Sequence, residues 1–514
     1  MAKKQYIVAH DTGTGGNKAV LTDLRGRIVH SSYRPYGLRY PHPQWVEQDP
    51  EELWQAVAST TRLVIEEAGV DPAEILGVGI SAQMFNLLPV DENVQPLMPM
   101  ISWLDVRTVE QADRILAGDD GKMPALLFEH TGNIPTAKDI IPKILWLKEE
   151  RPAIWDRTAW LLDCKEYIVH RLTGKVATDW HGASAYFLFD PYKKTWSEEA
   201  CRALGIPTDK LPPAYPCTQV VGKVTEEAAK VTGLLAGTPV VICAGDVAVA
   251  QSGSGANGDG KAHLCVGTAT WVGLSSSRFI NDPEKPFWGL NHIDPDKWII
   301  SGEMETGGGA LMWFRDSFCQ AEAEQAAREG VSTYALLSRM AEQVEPGADR
   351  LIFAPWLSGE RAPVLDHYAR GAFIGLSMGH TKGHLARAVM EGVAFHIRWI
   401  CEALERLGLS IGAINAIGGG STSPTWTQII SDVTGRELQV VAHPLEAGAT
   451  GAALTVAVGM GVYPNMEAID ELIEISHTVK PREANQARYG ALYREYRAIY
   501  EALAPIYRHL HDVG

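Results

Sequence analysis

Along the chain, short wholly apolar runs alternate with longer stretches that repeat apolar residues at helical spacing. Residues 6–10 are mostly apolar and run into Asp11-Thr12-Gly13-Thr14-Gly15-Gly16-Asn17-Lys18, after which residues 19–23 begin apolar again. This predicts strand, glycine-rich turn, strand: a β-hairpin. Leu53, Val57, Thr61 and Val64 share one face of a helix over residues 50–68. Residues 75–81 read as a buried strand, 142–150 and 159–172 as helices, and 239–244 as a second buried strand ending in Gly245-Asp246.

A second pass of the same pattern then begins. Residues 263–266, the turn Gly267-Thr268-Ala269-Thr270 and residues 271–274 again predict a hairpin with a Gly/Thr tip. Helices follow over 310–318, 333–342 and 384–407, then a strand over 414–417 running into Gly418-Gly419-Gly420. Two more helices are expected over 424–433 and 447–459, the latter rich in small residues. A hairpin near the start of each half suggests an internal duplication. Strands alternating with helices give an α/β protein. Gly, Ser and Asn crowd together over 251–260, so the expected boundary divides the chain into 1–255 and 256–514.

Composition narrows the function. The 514 residues suffice for two large domains, and 46% hydrophobic with 21% charged residues is ordinary for a globular protein. The balance of 46 basic against 62 acidic residues, net −16, argues against nucleic acid as a partner. Seven cysteines, odd in number, widely spaced and without CxxC, read as reduced thiols of a cytoplasmic protein. Neither a signal peptide nor a membrane span is expected.

Several motifs carry chemistry. A turn with three glycines and two threonines lets N–H groups and hydroxyls converge on an anion, although glycine-rich tips are also ordinary hairpin turns. Asp11, at the strand end, is placed to hold Mg²⁺ directly or through water, and Lys18 to reach a phosphate. Gly267, Thr268 and Thr270 supply a second set of donors. Asp246 closes a buried strand at the sheet edge where ligands bind; it reads as a base for a hydroxyl proton or as a helix N-cap. Trp103, Asp105 and Arg107 alternate, so an extended segment would point them one way, and an aromatic ring with charged groups suits a sugar; a surface ion pair beside a half-buried Trp is at least as good a reading. Gly418-Gly419-Gly420-Ser421 lies between strand and helix, where a phosphate or flat ring can approach.

Other matches are decoys. Gly253–Gly258 fits GxGxxG and 255–261 fits GxxxxGK, but a strand, not a helix, follows, and residue 262 is Ala. Gly375-Leu376-Ser377-Met378-Gly379 fits GxSxG without a helix starting at the Ser. His380 and His384 lack the Glu of a zinc motif.

Taken together, these residues resemble the FGGY carbohydrate kinases, within the wider fold group of actin and the hexokinases. The resemblance lies in Asp11-Thr12-Gly13-Thr14 with Lys18-Ala19, Glu47-Gln48-Asp49-Pro50, Trp103-Leu104-Asp105-Val106-Arg107, Lys143-Ile144-Leu145-Trp146-Leu147 and Gly245-Asp246. It continues through Gly267-Thr268, Leu357-Ser358-Gly359-Glu360-Arg361-Ala362-Pro363, the block from Gly371 to Glu391, and Gly418-Gly419-Gly420 with Trp426, Gln428 and Asp432. It implies two actin-like (ribonuclease H-like) domains with a cleft between them, sugar mainly on the N-terminal one and ATP mainly on the C-terminal one. It implies Asp246 as catalytic base and Asp11 with Asp246 as Mg²⁺ ligands. Thr14, Gly15, Gly16, Lys18, Gly267, Thr268, Gly308, Gly419, Gly420 and Ser423 would hold ATP. Gln83, Met84, Phe85, Trp103, Asp105, Arg107 and Asp246 would hold the sugar.

Within the family the chain looks most like the xylulokinases, in 358–363 and 371–375. Those enzymes carry Gln-Met-His where this chain has Gln83-Met84-Phe85, so an imidazole is replaced by an apolar ring. A ketopentose such as D-xylulose ranks first as acceptor and another sugar or polyol second. Autoinducer-2 ranks third, on the run Met312-Trp313-Phe314-Arg315-Asp316. An actin-like ATPase or sugar sensor is the alternative of a different class; a homodimer is left open.

Overall fold

A computed structural model describes residues 4–280, 282 and 287–513. The N-terminal half is built on β1 (Tyr6–Thr12), β2 (Gly16–Asp23), β3 (Ile28–Pro35), β4 (Ile75–Ala82), β5 (Val220–Lys223) and β6 (Pro239–Val241). They form one sheet in the order β5-β6-β4-β1-β2-β3. The C-terminal half is built on β7 (Ala262–Val266), β8 (Thr270–Ser276), β9 (Trp288–Asn291), β10 (Trp298–Met304), β11 (Ile414–Ile417), β12 (Leu438–Val441) and β13 (Ile475–Val479), in the order β9-β10-β8-β7-β11-β12-β13.

The two sheets repeat one topology. In each, three strands pair antiparallel (β1-β2-β3 and β7-β8-β10), the first also pairs parallel with a later strand (β4, β11), and that strand pairs parallel with the next (β6, β12). The duplication suggested by the twin hairpins is therefore real at the level of the fold.

The helices that matter for the site are α1 (Pro50–Ala68), α2 (Ile140–Glu150), α3 (Cys164–Thr173), α4 (Asp246–Gly253), α5 (Gly308–Phe318), α6 (Lys382–Arg406), α7 (Pro424–Thr434), α8 (Ala447–Gly459) and α9 (Glu483–Asp512). The first sheet is covered on both faces, which is why its strands read as unbroken apolar runs. Val8, Leu21 and Ile80 pack with Val57 and Val64 of α1. Ile7, Ala9 and Val20 point the other way and pack with Ala452, Leu454 and Val456 of α8. Although α8 follows β12 of the second sheet, it lies against the first.

Two expected elements differ. Residues 159–172 are not one helix: a short strand, Trp160–Leu162, precedes α3. Asp163 caps α3 in a capping box with Glu166, so the helix begins where its first N–H groups find a carboxylate. Residues 103–107 are not extended. Asp105 N donates to Ser102 O at 3.1 Å, closing a turn.

Candidate active site

The tip of the first hairpin is held from three sides. Gln48 Nε2 donates to Thr14 O at 2.9 Å, Trp103 Nε1 donates to Thr14 Oγ1 at 2.8 Å, and Tyr33 OH donates to Gly15 O at 3.1 Å. Gln83 N donates to Thr12 O at 2.8 Å and Gln83 Nε2 to Gln48 Oε1 at 2.6 Å. Thr14, Trp103 and Gln83 are thus brought together, with Gln48 as the bridge; sequence reasoning assigned Gln48 no role. A Cβ would make only ordinary contacts at Gly13 (3.7 Å from Gly16 O) and Gly15 (4.0 Å from Tyr33 OH).

The second tip, between β7 and β8, is seated on the start of α5. Gly308 N donates to Gly267 O at 2.7 Å, and Gly307 N and Gly309 N both donate to Thr268 O at 3.0 Å. The amide of Gly308 is therefore committed to the loop rather than free for a phosphate. Thr268 itself is exposed, and beside it the buried hydroxyls of Thr270 and Thr306 have no hydrogen-bond partner. Polar groups left in that state are what an oxyanion satisfies, so the loop suits a phosphate. Next to it on the same sheet edge, Gly418 adopts φ +85° with its Cα against Val266; a Cβ would lie 2.8 Å from Val266 O. Gly419 is exposed beyond it, and Ser423 caps α7 by accepting from Trp426 N at 3.2 Å.

Asp246 is the first residue of α4, with Gly245 at the cap position, and its Oδ1 accepts from Val247 N at 2.9 Å. Met84 lies over Gly245 so closely that a Cβ there would sit 2.1 Å from the sulfur. The Asp246 carboxyl is pushed up to about 8, by burial first and then by the facing carboxylates of Asp11 and Glu303. Asp11 is raised as well, by burial, with Lys18 acting against it. A buried carboxyl raised by a second carboxylate facing it is relieved by a bound cation, so the donor set of Asp11 and Asp246 fits Mg²⁺.

Phe85 takes φ +65°, unusual for a side chain of its size, and its ring meets Trp288 at 4.9 Å and Phe187 at 5.8 Å between centroids. Trp288 belongs to the C-terminal sheet, so the apolar wall of Met84, Phe85 and Trp288 draws on both halves. Behind it, Arg361 lies 4.8 Å over Trp288, with Glu303, Glu305 and Lys138 around it. None of these four was among the expected site residues. Glu303-Met304-Glu305 matches no motif; only its place at the end of a strand beside Asp246 marks it.

Three expected contacts turn out otherwise. Asp105 and Arg107 do not present themselves to a sugar. Both side chains are fully covered, Arg107 pairing with Asp105 at 2.7 Å and Glu47 at 2.9 Å. Its guanidinium stacks on Trp45 at 3.9 Å, and Asp105 Oδ2 accepts from Val46 N at 2.6 Å. A buried ion pair needs its partners satisfied internally, and this one fixes the turn that presents Trp103. Lys18 does not lie on the hairpin tip: Nζ donates to Leu445 O at 2.7 Å and approaches Glu446 at 3.6 Å, tying β2 to the loop before α8.

The decoys have structural uses. Lys261 pairs with Asp470 at 2.8 Å, and Ser377 Oγ meets His380 Nδ1 at 3.2 Å on an exposed turn. Among the described residues no cluster of His, Cys, Asp or Glu makes a preformed metal cage.

The N-terminal domain pattern of the FGGY family of carbohydrate kinases matches residues 6–253, and its C-terminal domain pattern matches 262–460. The chain belongs to the FGGY family of carbohydrate kinases. As an FGGY kinase it is a phosphotransferase with an alcohol group as acceptor. It is 32% identical to a gluconokinase of Bacillus subtilis over 488 residues, 95% of this chain and 94% of that one. It is 30% identical to a xylulose kinase of the same organism over 502 residues, 96% and 97% of the two chains. Among solved structures it is similar to a ligand-bound xylulose kinase from Lactobacillus acidophilus, with TM-score 0.88, 26% identity and coverage of 98% and 99%.

Proposed function

We propose that this FGGY kinase uses ATP and Mg²⁺ to phosphorylate a hydroxyl of a ketopentose such as D-xylulose, giving xylulose 5-phosphate, and that it works in the cytoplasm. The observation that carries the reading is Asp246. It stands at the start of α4 beside the Met84–Phe85 wall and faces Asp11. The xylulose kinase relatives favour the ketopentose, and seven free, buried cysteines suit a reducing compartment.

In this reading the acceptor lies against Met84, Phe85 and Trp103, with Gln83 Oε1, buried and without a partner, available to a sugar hydroxyl. Once ionised, the Asp246 carboxyl, which its surroundings push up to about 8, takes the proton of the reacting hydroxyl, so turnover is expected to rise with pH toward that value. The oxygen forms its bond to the γ-phosphorus as the bond to the β-bridging oxygen breaks, and ADP leaves with that electron pair. Asp11 and Asp246 would hold Mg²⁺, which supplies charge neutralisation for the phosphates when bound. The twin hairpin tips, at 13–16 and 267–268, and Gly419, Gly420 and Ser423 form the nucleotide side. Residues 1–255 would carry the sugar and 256–514 the nucleotide.

The test is sugar-dependent ADP release across ketopentoses, aldoses, polyols and sugar acids, comparing the parent with Asp246→Ala. The expected result is one acceptor class with turnover that the variant loses by about 10²–10⁴-fold or more. Turnover that survives in the variant removes the base assignment. ADP release that no sugar raises removes the acceptor reading.

A further inference from the structure

The gluconokinase and xylulose kinase relatives stand at nearly equal identity, so similarity does not choose between an anionic and a neutral acceptor. The acceptor wall does. Its cations are Arg361, Lys138 and Lys143, and each is already engaged. Arg361 Nη1 donates to Glu303 Oε2 at 2.8 Å and Nε to Glu305 Oε1 at 3.0 Å, with Nη2 2.9 Å from the same oxygen. Lys138 Nζ donates to both oxygens of Glu305, at 3.0 and 2.9 Å. Lys143 Nζ donates to the carbonyls of Phe85 at 2.7 Å and Lys138 at 2.5 Å.

Glu305 is the centre of this cluster. Burial pushes its carboxyl up, but Arg361 and Lys138 outweigh that and hold it down at about 2, so it is ionised at any working pH. Facing the same space are Glu303, Asp139 and Asp246. His367, which borders Lys138, Glu305 and Arg361, is lowered by burial and then by Lys138, and so stays neutral near pH 7. With Glu360, whose Oε1 accepts from Glu305 N and Arg361 N, five carboxyl groups thus stand against three cations. The cationic atom of this wall without a hydrogen bond is Arg361 Nη2, and Glu305 Oε1 stands 2.9 Å from it, in the place a second carboxylate would need.

We infer that Glu305, supported by Glu303, is a specificity-determining residue that bars sugar acids, because it occupies the two cations, Lys138 and Arg361, that a carboxylate would otherwise use. This rests on the acceptor reading above. An aldonate would have to displace the ionised Glu305 from Arg361 and Lys138 or stand against it, a repulsive arrangement that discriminates without any contact to the favoured substrate. A ketose or polyol meets no such obstacle, and its carbon skeleton lies on Phe85 and Trp288.

The experiment measures kcat/KM for D-xylulose and xylitol against D-xylonate and D-gluconate, in the parent, Glu305→Gln and Glu303→Gln. The parent is expected to favour the neutral acceptors by at least about 100-fold. Glu305→Gln is expected to raise the ratio of acid to neutral kcat/KM by at least about tenfold, with a gain that shrinks as salt rises. Calorimetric titration of D-gluconate into both variants reads the same gain where turnover is lost. A parent that prefers gluconate overturns the inference and leaves the kinase intact. So does an unchanged ratio in Glu305→Gln together with no gain in gluconate binding. No turnover with any acceptor defeats the acceptor reading and the inference with it.

Discussion

Phe85 could not keep its backbone conformation unaided. A bulky residue at φ +65° costs on the order of 1–3 kcal/mol, and the ammonium of Lys143 offsets this by donating to the Phe85 carbonyl. Lys143 is fully buried; burial lowers it to about 7, with Asp139, Asp105 and Asp163 acting against that. It also holds the Lys138 carbonyl, so one side chain joins the Phe85 wall to the loop that reaches Glu305. Replacing Lys143 with Met removes a charge-assisted hydrogen bond of about 1.5–3 kcal/mol. We expect the acceptor KM to rise by about tenfold or more while the ATP KM holds. Steady-state kinetics with each substrate varied in turn will read this, and parallel rises in both constants would mean general damage instead. The residue was visible in the sequence as part of a family signature, but nothing local tells that its ammonium lies under a pocket loop 58 positions away.

At the scale of elements, the crossing of α4 and α8 sets the site. At Gly451 a Cβ would lie 1.9 Å from Val249 O, and at Gly253 1.8 Å from Ala447 O, so the two helices touch backbone to backbone. Asp246 begins α4, and Gly448 in the first turn of α8 lies against Asp11, where a Cβ would be 2.7 Å from Oδ2. Separating the helices would therefore move the two carboxylates relative to each other. Gly451→Ala is expected to cost about 1–3 kcal/mol and to lower both Tm and kcat. Gly490→Ala, in α9 with open space around it, is expected to raise stability by about 0.5–1 kcal/mol and leave kcat alone. Equal behaviour of the two variants would show that the crossing does not matter. The sequence marked α8 as rich in small residues; which helix those residues admit is a fact of the packing.

For the whole molecule, five histidines are buried as neutral rings. His10 and His396 are lowered to about 4, and His181, His263 and His292 to about 3, in each case by burial first. Unfolded, each takes a proton near 6.5. Between those values the unfolded chain binds more protons than the folded one, so stability falls as pH falls. It should be full above about 6.5 and decline toward about 4, beyond what carboxylate titration alone gives. Thermal unfolding scans from pH 7.5 to 4.5 at constant ionic strength check this; a flat Tm across that window would show that the rings are hydrated or paired.

Much was determined by the sequence alone. Unbroken apolar runs mark strands covered on both faces, glycine-rich tips mark the hairpins, and their recurrence marks the duplication, because local spacing and backbone freedom are properties of adjacent residues. Residues 159–172 failed for the same reason. Periodicity cannot separate a three-residue strand from the helix that follows it, and the informative signal was the Asp163–Glu166 capping box. Tertiary structure decided the rest. Trp103, Asp105 and Arg107 parted company because the first binds the hairpin tip at Thr14 while the other two neutralise each other out of water. Lys18 left its hairpin for the loop before α8. The charge cluster behind Trp288, carried by Lys138, Glu303, Glu305 and Arg361, appeared only when segments more than 50 residues apart met. Electrostatic balance depends on distances through space and on exclusion of water, and neither is written in the order of the chain.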